Sequence, residues 1–539
     1  MTTADYVVVG AGSAGCVLAD RLSADGSTVV LIEAGGPDRA AEISIPAAFP
    51  KLFGSAFDWA YSTTEQPGLD GRRIFFPRGR TLGGSSSLNA QIWTRGHRAD
   101  FDGWAAAGAT GWGWDRVLPY YQRAEGRVGE SGRDGYGTEG PIPVDDLRDP
   151  SPATAAFLAA CAGAGYPAVG DGETSARPGV GPVRVTQRNG RRWSAADAYL
   201  RPAQQRPQLT VVTGALVRRV LLEGRRAVGV EVSGPDGVQQ ITARREVVLS
   251  AGAVGSPQLL QLSGIGDPAE LDRLGIPVEV ALPAVGKNLS DHLYVPLAMS
   301  ARQEISPGLD QHAEQALEYF RHRRGPLSSN LAEALVFLAT EEGLPGPDVE
   351  LVWMLVPFLD SGRGEAQNGV TLGVVLLQPE GRGSVRLQSA DPAVAPLIDP
   401  GFLADADGRD LATTIAGVKA ARQLLARPEL DHVVGQPLLA GLHEADDRGL
   451  AELVRRHAET LYHPVGSCRM GADETSVVDP ELRVRGTTGL RVVDASVMPV
   501  VPRGHTHAPT VMLAERAADL IRGLPEPPAV RGRALAGRA

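Results

Sequence analysis

Lysine is almost missing from this chain. Three lysines (Lys51, Lys287 and Lys419) stand against fifty arginines in 539 residues. Chemistry that runs through a Schiff-base amine therefore has few candidates, and none of the three sits in a suggestive motif. Cysteine is equally sparse. Cys16, Cys161 and Cys468 are odd in number and far apart, which fits a reducing compartment and offers no zinc cluster. Long apolar runs are missing as well: none approaches the ~18–20 residues of a membrane span. Positive charge is not in surplus either. The net charge of −10 is spread without long blocks, which argues against nucleic acid or anionic lipid as a partner. The first strand pattern begins by Asp5 and leaves no room for a signal peptide, so a cytoplasmic protein is expected. What remains is a globular composition, 43% hydrophobic and 22% charged, long enough for about two to four average domains.

The most informative stretch comes first. Tyr6 to Val9 is a β-branched run, Gly10 and Gly12 turn the chain, and Ala14 to Leu22 reads as a helix. A second buried strand, Thr28 to Ile32, ends at Glu33. This is a G-x-G-x-x-G turn inside a βαβ unit, with an acid at the distance where a ribose hydroxyl is read. Gly10 makes the tight turn, Gly12 lets backbone approach a pyrophosphate, and Gly15 allows helix and strand to pack closely. The helix N-terminus offers N–H groups to the anion. The turn alone leaves FAD and NAD open. Cys16, at the same helix N-terminus, has two readings: an activated thiol, or a small buried residue, and burial preference favours the second.

Further on, Gly79-Arg80-Thr81-Leu82-Gly83-Gly84-Ser85-Ser86-Ser87-Leu88-Asn89-Ala90 is a loop that can lie flat on a ligand and offer N–H and hydroxyl donors. An ordinary polar turn would look the same locally. With Trp93, Gly96 and Asp102, however, this run resembles the first signature of the glucose–methanol–choline (GMC) family of FAD-dependent oxidoreductases. Gly252 to Gly266 is similar to the family's second signature. Val285 to His292, Gly381 to Arg386 with Asp399-Pro400, and the C-terminal region also match, so the resemblance runs from about residue 4 to 523.

The resemblance implies an α/β fold: a discontinuous Rossmann-type FAD-binding domain with an inserted α+β substrate-binding domain. Residues 1–295 and 455–525, cap segments included, would form the first, and 296–454 the second. The Pro-rich, basic stretch 526–539 reads as a disordered tail. Gly10, Gly12, Gly15, Glu33 and Ala34 would hold the FAD diphosphate and adenosine. Arg80, Leu82, Gly84 and Ser85 would lie along the diphosphate and flavin, Asn89 and Ala90 beside the flavin ring, and Val217 at the adenine edge. Asp494, with Ala495 and Thr506, would complete the cofactor site. Leu88 stands where some relatives tether FAD through histidine, so FAD should be non-covalent. Glu333 could read a substrate hydroxyl or cation, or be a solvated helix carboxylate.

Three of ten histidines fall late: His463, His505 and His507. Oxidising an alcohol needs a base for the O–H proton, and imidazole, with a reference pKa of ~6.5, suits neutral pH. By resemblance His463 is that base and His505 its hydrogen-bonding partner. An extended segment would point His507 the same way as His505, behind it or near the substrate. A three-histidine metal site is disfavoured for want of a carboxylate or cysteine beside it. His97, His292, His312, His322, His432, His443 and His457 receive no functional role. The expected reaction is hydride transfer from an alcohol to flavin N5, giving an aldehyde or ketone, with O2 or a quinone-type compound as the electron acceptor. The rivals are an FAD-containing hydroxynitrile-type lyase and an NAD-dependent dehydrogenase.

Overall fold

Short β-branched runs bounded by glycine become buried parallel strands, as their length and composition predict. The computed structural model describes residues 2–127, 135–169, 178–235, 237–306, 313–364, 367–441 and 445–528. His312, His443 and 529–539 of the expected tail lie outside the described residues. In chain order, two large sheets are built from β1 (Thr2–Val9), β2 (Val29–Ile32), β3 (Gly179–Pro182), β4 (Leu209–Val212), β5 (Leu216–Glu223), β6 (Arg226–Gly234) and β7 (Gly237–Leu249). They continue with β8 (Leu293–Ala301), β9 (Ala332–Leu338), β10 (Val349–Met354), β11 (Gly369–Leu376), β12 (Val434–Pro437), β13 (Glu459–Thr460) and β14 (Leu490–Val492).

The first sheet runs β4-β2-β1-β7-β6-β5, with β14 also on β7. Its pairs β4·β2, β2·β1, β1·β7 and β7·β14 are parallel. Helix α1 (Ser13–Ser23) connects β1 to β2 and buries Val17, Leu18 and Leu22 against the sheet. Each such side chain contributes about 1.5–3 kcal/mol. Two expectations are corrected here. The sequence predicts a meander of strands over 209–212, 217–222 and 227–232, but Leu209–Val212 is a parallel edge strand on β2. The sequence predicts a buried strand over 245–249; the observed strand is 13 residues long, because residues 237–242 pair antiparallel with β6 and residues 241–249 pair parallel with β1.

The second sheet is antiparallel, in the order β12-β8-β11-β10-β9-β3, with β13 on β8. Period-2 alternation sorts the side chains of β10. Val349, Leu351 and Trp353 face an outer layer of helices, where Trp353 stacks on Phe157 at 4.6 Å. The sequence predicts a helix over 152–164, and Phe157 belongs to the helix found there, Pro152–Gly163, one residue shorter. Glu350, Val352 and Met354 occupy the other face, which looks toward the first sheet. The sequence predicts helices over 310–324 and 411–425; residues 310–312 lie outside the described residues, and the described helices run Ala313–His322 and Arg409–Leu425. After β7 comes α2 (Gly252–Leu262); the sequence predicts a further helix over 510–523, and α3, the last among the described residues, runs His507–Arg522, starting three residues earlier.

Strands β1, β2, β7 and β14 all end at one cavity, which Val9, Ile32, Ser250 and Asp494 line. A ligand site outside the carboxyl ends of parallel strands is the general rule for such sheets. The inner face of the second sheet closes the cavity from the other side through Ala332, Val352 and Met354.

Candidate active site

The glycines of the opening turn do what their spacing predicts. Gly10 has φ +97°, and a Cβ there would come within 2.5 Å of the Ser250 carbonyl oxygen. A Cβ on Gly15 would lie 1.8 Å from the Gly10 carbonyl oxygen, so α1 can approach the turn only without a side chain at this place. At Gly12 a Cβ would meet nothing within 4 Å, and the residue lines the cavity. Gly84 of the serine loop presses on Gly12 from behind: its Cβ would sit 2.7 Å from Gly12 Cα. The N-terminus of α1 has no side-chain cap and no acid in its first turn. An uncapped, positively polarised helix end over an open glycine fits a pyrophosphate.

Two carboxylates mark this half of the cavity. Glu33 accepts from the Ala11 and Gly35 N–H groups at 2.9 and 2.8 Å. Burial pushes its carboxyl up to about 7, against the pull of those two bonds. Asp494 accepts from Ser256 Oγ at 2.5 Å, Gly252 N at 2.9 Å and Ser496 N at 2.8 Å. Ala34, Gly84, Ser85, Asn89, Ala90, Val217, Ala495 and Thr506 line the same space. Asn89 is held there by Arg192, which donates to its Oδ1 at 2.8 Å. Arg80 and Leu82 do not line it: Arg80 lies over Trp59, 4.8 Å from the ring centre, and Leu82 is buried in the first core. Leu88 lines the cavity and packs with Ile43 and Leu52, so no nucleophile stands at that place. Cys16 is fully buried, its thiol pushed up by burial, and bonds to Ala11 O at 3.2 Å, which is the packing reading.

At the other end the histidines meet. His463 and His505 stand edge to face with ring centres 4.9 Å apart. His292, given no role from sequence, lies directly behind: its Nδ1 is 2.9 Å from His463 Nδ1, and its Nε2 is 3.1 Å from the Leu377 carbonyl. These contacts fix the tautomers. A carbonyl only accepts, so His292 Nε2 carries a proton. Burial and the nearby His505 push His292 down to about 3 and keep it neutral, which makes its Nδ1 an acceptor. His463 Nδ1 must then donate. His463 is itself driven well below the usual imidazole range, by burial first and then by His505, His292 and Arg78. A neutral ring protonated at Nδ1 leaves Nε2 bare, and His463 lines the cavity.

The backbone of His463 is held as firmly. Tyr462 adopts φ +67°, a conformation that costs on the order of 1–3 kcal/mol for a bulky residue. Thr460 Oγ1 accepts from Tyr462 N at 2.7 Å, and Asp291 accepts from His463 N at 2.8 Å and Thr460 Oγ1 at 2.5 Å. On the far side, His505 Nε2 is 2.9 Å from Glu350 Oε1. Glu350 is fully buried, and its second oxygen has no hydrogen-bond partner among the described residues.

Two substrate expectations are corrected. Glu333 is neither on a helix nor at the cavity. It sits on β9, fully buried, with its carboxylate accepting from Ser329 Oγ, Thr154 Oγ1 and Ser151 N. His507 does not follow His505, because Thr506 is helical and His507 opens α3, turning its ring away. Its Nδ1 lies 3.0 Å from Ser13 Oγ and its ring meets Trp93 edge-on at 5.7 Å. It still lines the cavity, at the α1 end, with Nε2 buried and without a hydrogen-bond partner among the described residues.

Sequence reading missed Ser13, His292 and Glu350. For His292 the signal was present in the Asp291-His292 block, unread because a lone histidine is usually structural. For Glu350 it was a single acid inside the apolar run Val349-Glu-Leu-Val-Trp-Met354, which needs a buried partner to be tolerated.

Paired imidazoles facing a dinucleotide cradle suit removal of a proton and a hydride from a CH–OH carbon, and the fold is that of a flavin-dependent oxidoreductase. The family model described as GMC oxidoreductase matches residues 4–294 with its N-terminal part and 379–514 with its C-terminal part. The chain belongs to the GMC oxidoreductase family. It is 47% identical to an uncharacterised GMC-type oxidoreductase of Mycobacterium tuberculosis, over 97% of this chain and 99% of the relative. It is 42% identical to an alcohol dehydrogenase [acceptor] of Pseudomonas putida (96% and 95% covered) and 40% identical to an oxygen-dependent choline dehydrogenase of Vibrio vulnificus (96% and 94%). Among solved structures, it matches pyridoxine 4-oxidase from Mesorbium loti with a TM-score of 0.88 and 35% identity, covering 97% of this chain and all of that one. It matches a formate oxidase of Aspergillus oryzae, studied for modification of its FAD, with a TM-score of 0.90 and 28% identity, covering 97% and 98%. The cofactor of the family, FAD, fits the uncapped helix end and the open glycine described above.

Proposed function

We propose that the chain oxidises an alcohol to an aldehyde or ketone, with His463 as the base and His505 as its partner. FAD, when bound, would supply the two-electron acceptor for the hydrogen that leaves the alcohol carbon. His463 Nε2 takes the hydroxyl proton, and His505 steadies the oxygen as charge develops on it. Glu350 acts as a positioning residue: by accepting from Nε2–H of His505 it leaves Nδ1 for the substrate, and that nitrogen donates to the oxygen when it too carries a proton. Gly10, Gly12, Gly15, Glu33, Ala34, Gly84, Ser85, Asn89, Ala90, Val217, Asp494, Ala495 and Thr506 would hold FAD, without a covalent bond because Leu88 offers none. Residues 1–295 and 455–525 would form the FAD-binding part, and 296–454 the substrate-binding part. The observation that carries the reading is the chain Leu377–His292–His463, which fixes the bare nitrogen of the base. The test is anaerobic. A panel of alcohols should bleach the yellow enzyme, and a flavin that stays oxidised while product forms would instead mark a lyase.

Two further outcomes follow. Because burial keeps His463 neutral, kcat/KM should stay flat as the pH falls from about 7 past ~6.5, the ordinary imidazole value, with the acid limb lower still. An acid limb at or above ~6.5 would assign the base to another group. Glu350→Ala frees His505 to turn, and a misplacement of about 1 Å costs about 10²-fold in rate. Flavin reduction should fall by that order with FAD content unchanged, and Glu350→Gln, which can still accept from His505, should recover most of it. Equal losses in both variants would remove the positioning role.

A further inference from the structure

We infer that the substrate is an uncharged, apolar alcohol, aliphatic or aryl, rather than a choline-like cation or a hydroxy acid; this rests on the alcohol-oxidation reading above. The wall beside His463 and His505 is hydrocarbon. Val352 and Met354 share the face of β10 on which Glu350 holds His505, and Ala332 lies opposite Met354 on β9. Phe358 continues that wall, with Phe49 6.0 Å away. Phe49 meets Phe53 at 6.0 Å, and Phe53 meets Tyr462, the neighbour of His463, at 5.2 Å.

Histidines aside, Glu33, Asp494 and Arg78 are the only acids or guanidiniums among the described residues that line the cavity. The two acids follow β2 and β14 at the cofactor end. Arg78 stands beside the histidines, donating to the carbonyls of Tyr462, at 2.6 Å, and Pro77. The nearest full charge to the reacting end is therefore positive and engaged with backbone. A quaternary ammonium would lose its hydration, meet no carboxylate and sit in the field of Arg78. Glu350 cannot answer it, being buried behind His505 and absent from the lining; Asp291 is spent on Thr460 and the His463 N–H. The aromatic faces attract cations as well as hydrocarbon, so shape must be held constant while charge is varied.

Three alcohols of similar shape do this: choline, its neutral isostere 3,3-dimethylbutan-1-ol, and the anionic hydroxypivalate. Anaerobic flavin reduction by the holoenzyme should favour the neutral compound by tenfold or more in kcat/KM over either ion. Along butanol, hexanol and octanol, kcat/KM should rise about fourfold per methylene until the wall is filled. A preference for choline or hydroxypivalate, or a flat alkanol series, overturns the proposal and leaves alcohol oxidation standing. A yellow enzyme that dithionite reduces but no alcohol in a wide panel does overturns the reading beneath it, and the proposal with it.

Discussion

His463→Ala is expected to give a yellow protein that no alcohol bleaches at the parent rate. The loss should be on the order of 10²–10⁴-fold, the usual contribution of a positioned general base. FAD content should not change, because the cradle is built from the turn at Gly10 to Gly15, the serine loop and Asp494, on the other side of the cavity. The measurement is stopped-flow flavin reduction under anaerobic conditions, with cofactor stoichiometry read from the absorbance ratio. Parent-like bleaching would remove His463 from the mechanism. Loss of FAD would mean that His463 supports the cofactor site instead.

The second large effect concerns two glycines three positions apart. In Gly15→Ala the new methyl would lie 1.8 Å from the Gly10 carbonyl oxygen. Backbone cannot move aside cheaply there, because Gly10 is itself pressed on Ser250. The variant should lose FAD and most of its soluble, folded yield, the result of overpacking at a backbone crossing. Gly12→Ala meets nothing within 4 Å, so the apoprotein should keep its stability within about 0.5 kcal/mol. Its methyl would stand where the cofactor must come close, and FAD affinity should fall by tenfold or more, about 1.4 kcal/mol. Thermal melts with and without added FAD separate the two. If both variants behave alike, Gly12 is not an approach point for the cofactor.

The cofactor half was legible in the sequence because its requirements are local. A glycine turn, an uncapped helix end and an acid closing β2 lie within about thirty residues, and each follows from backbone geometry. The reacting half is not local. His292, Glu350, His463 and His505 come from four separate stretches, and only the folded sheets show that one imidazole backs another. Glu333 was misjudged for the converse reason: an acid in a suggestive block can be spent on Thr154, Ser329 and a backbone N–H. His507 was misread because period-2 reasoning was applied across the residue where α3 begins. The strand over 245–249 was cut short because its outer half, Gly237 to Arg244, is largely exposed and carries no apolar run.

The bond from His292 to the Leu377 carbonyl has a consequence for chimeric enzymes. Leu377 follows β11, Glu350 lies on β10, and both belong to the second sheet, whereas His463 and His505 are encoded far downstream. An exchange of the substrate sheet between relatives would thus replace the two contacts that orient imidazoles contributed by the recipient. A donor sheet lacking an acid at the place of Glu350, or with a shifted backbone after β11, would bring a new specificity wall and a mistuned proton acceptor together. Recombination boundaries that respect the linear domain map would miss this dependence. Grafts that carry His292, Glu350, Leu377, His463 and His505 as one inherited set should keep turnover while the hydrocarbon wall is varied.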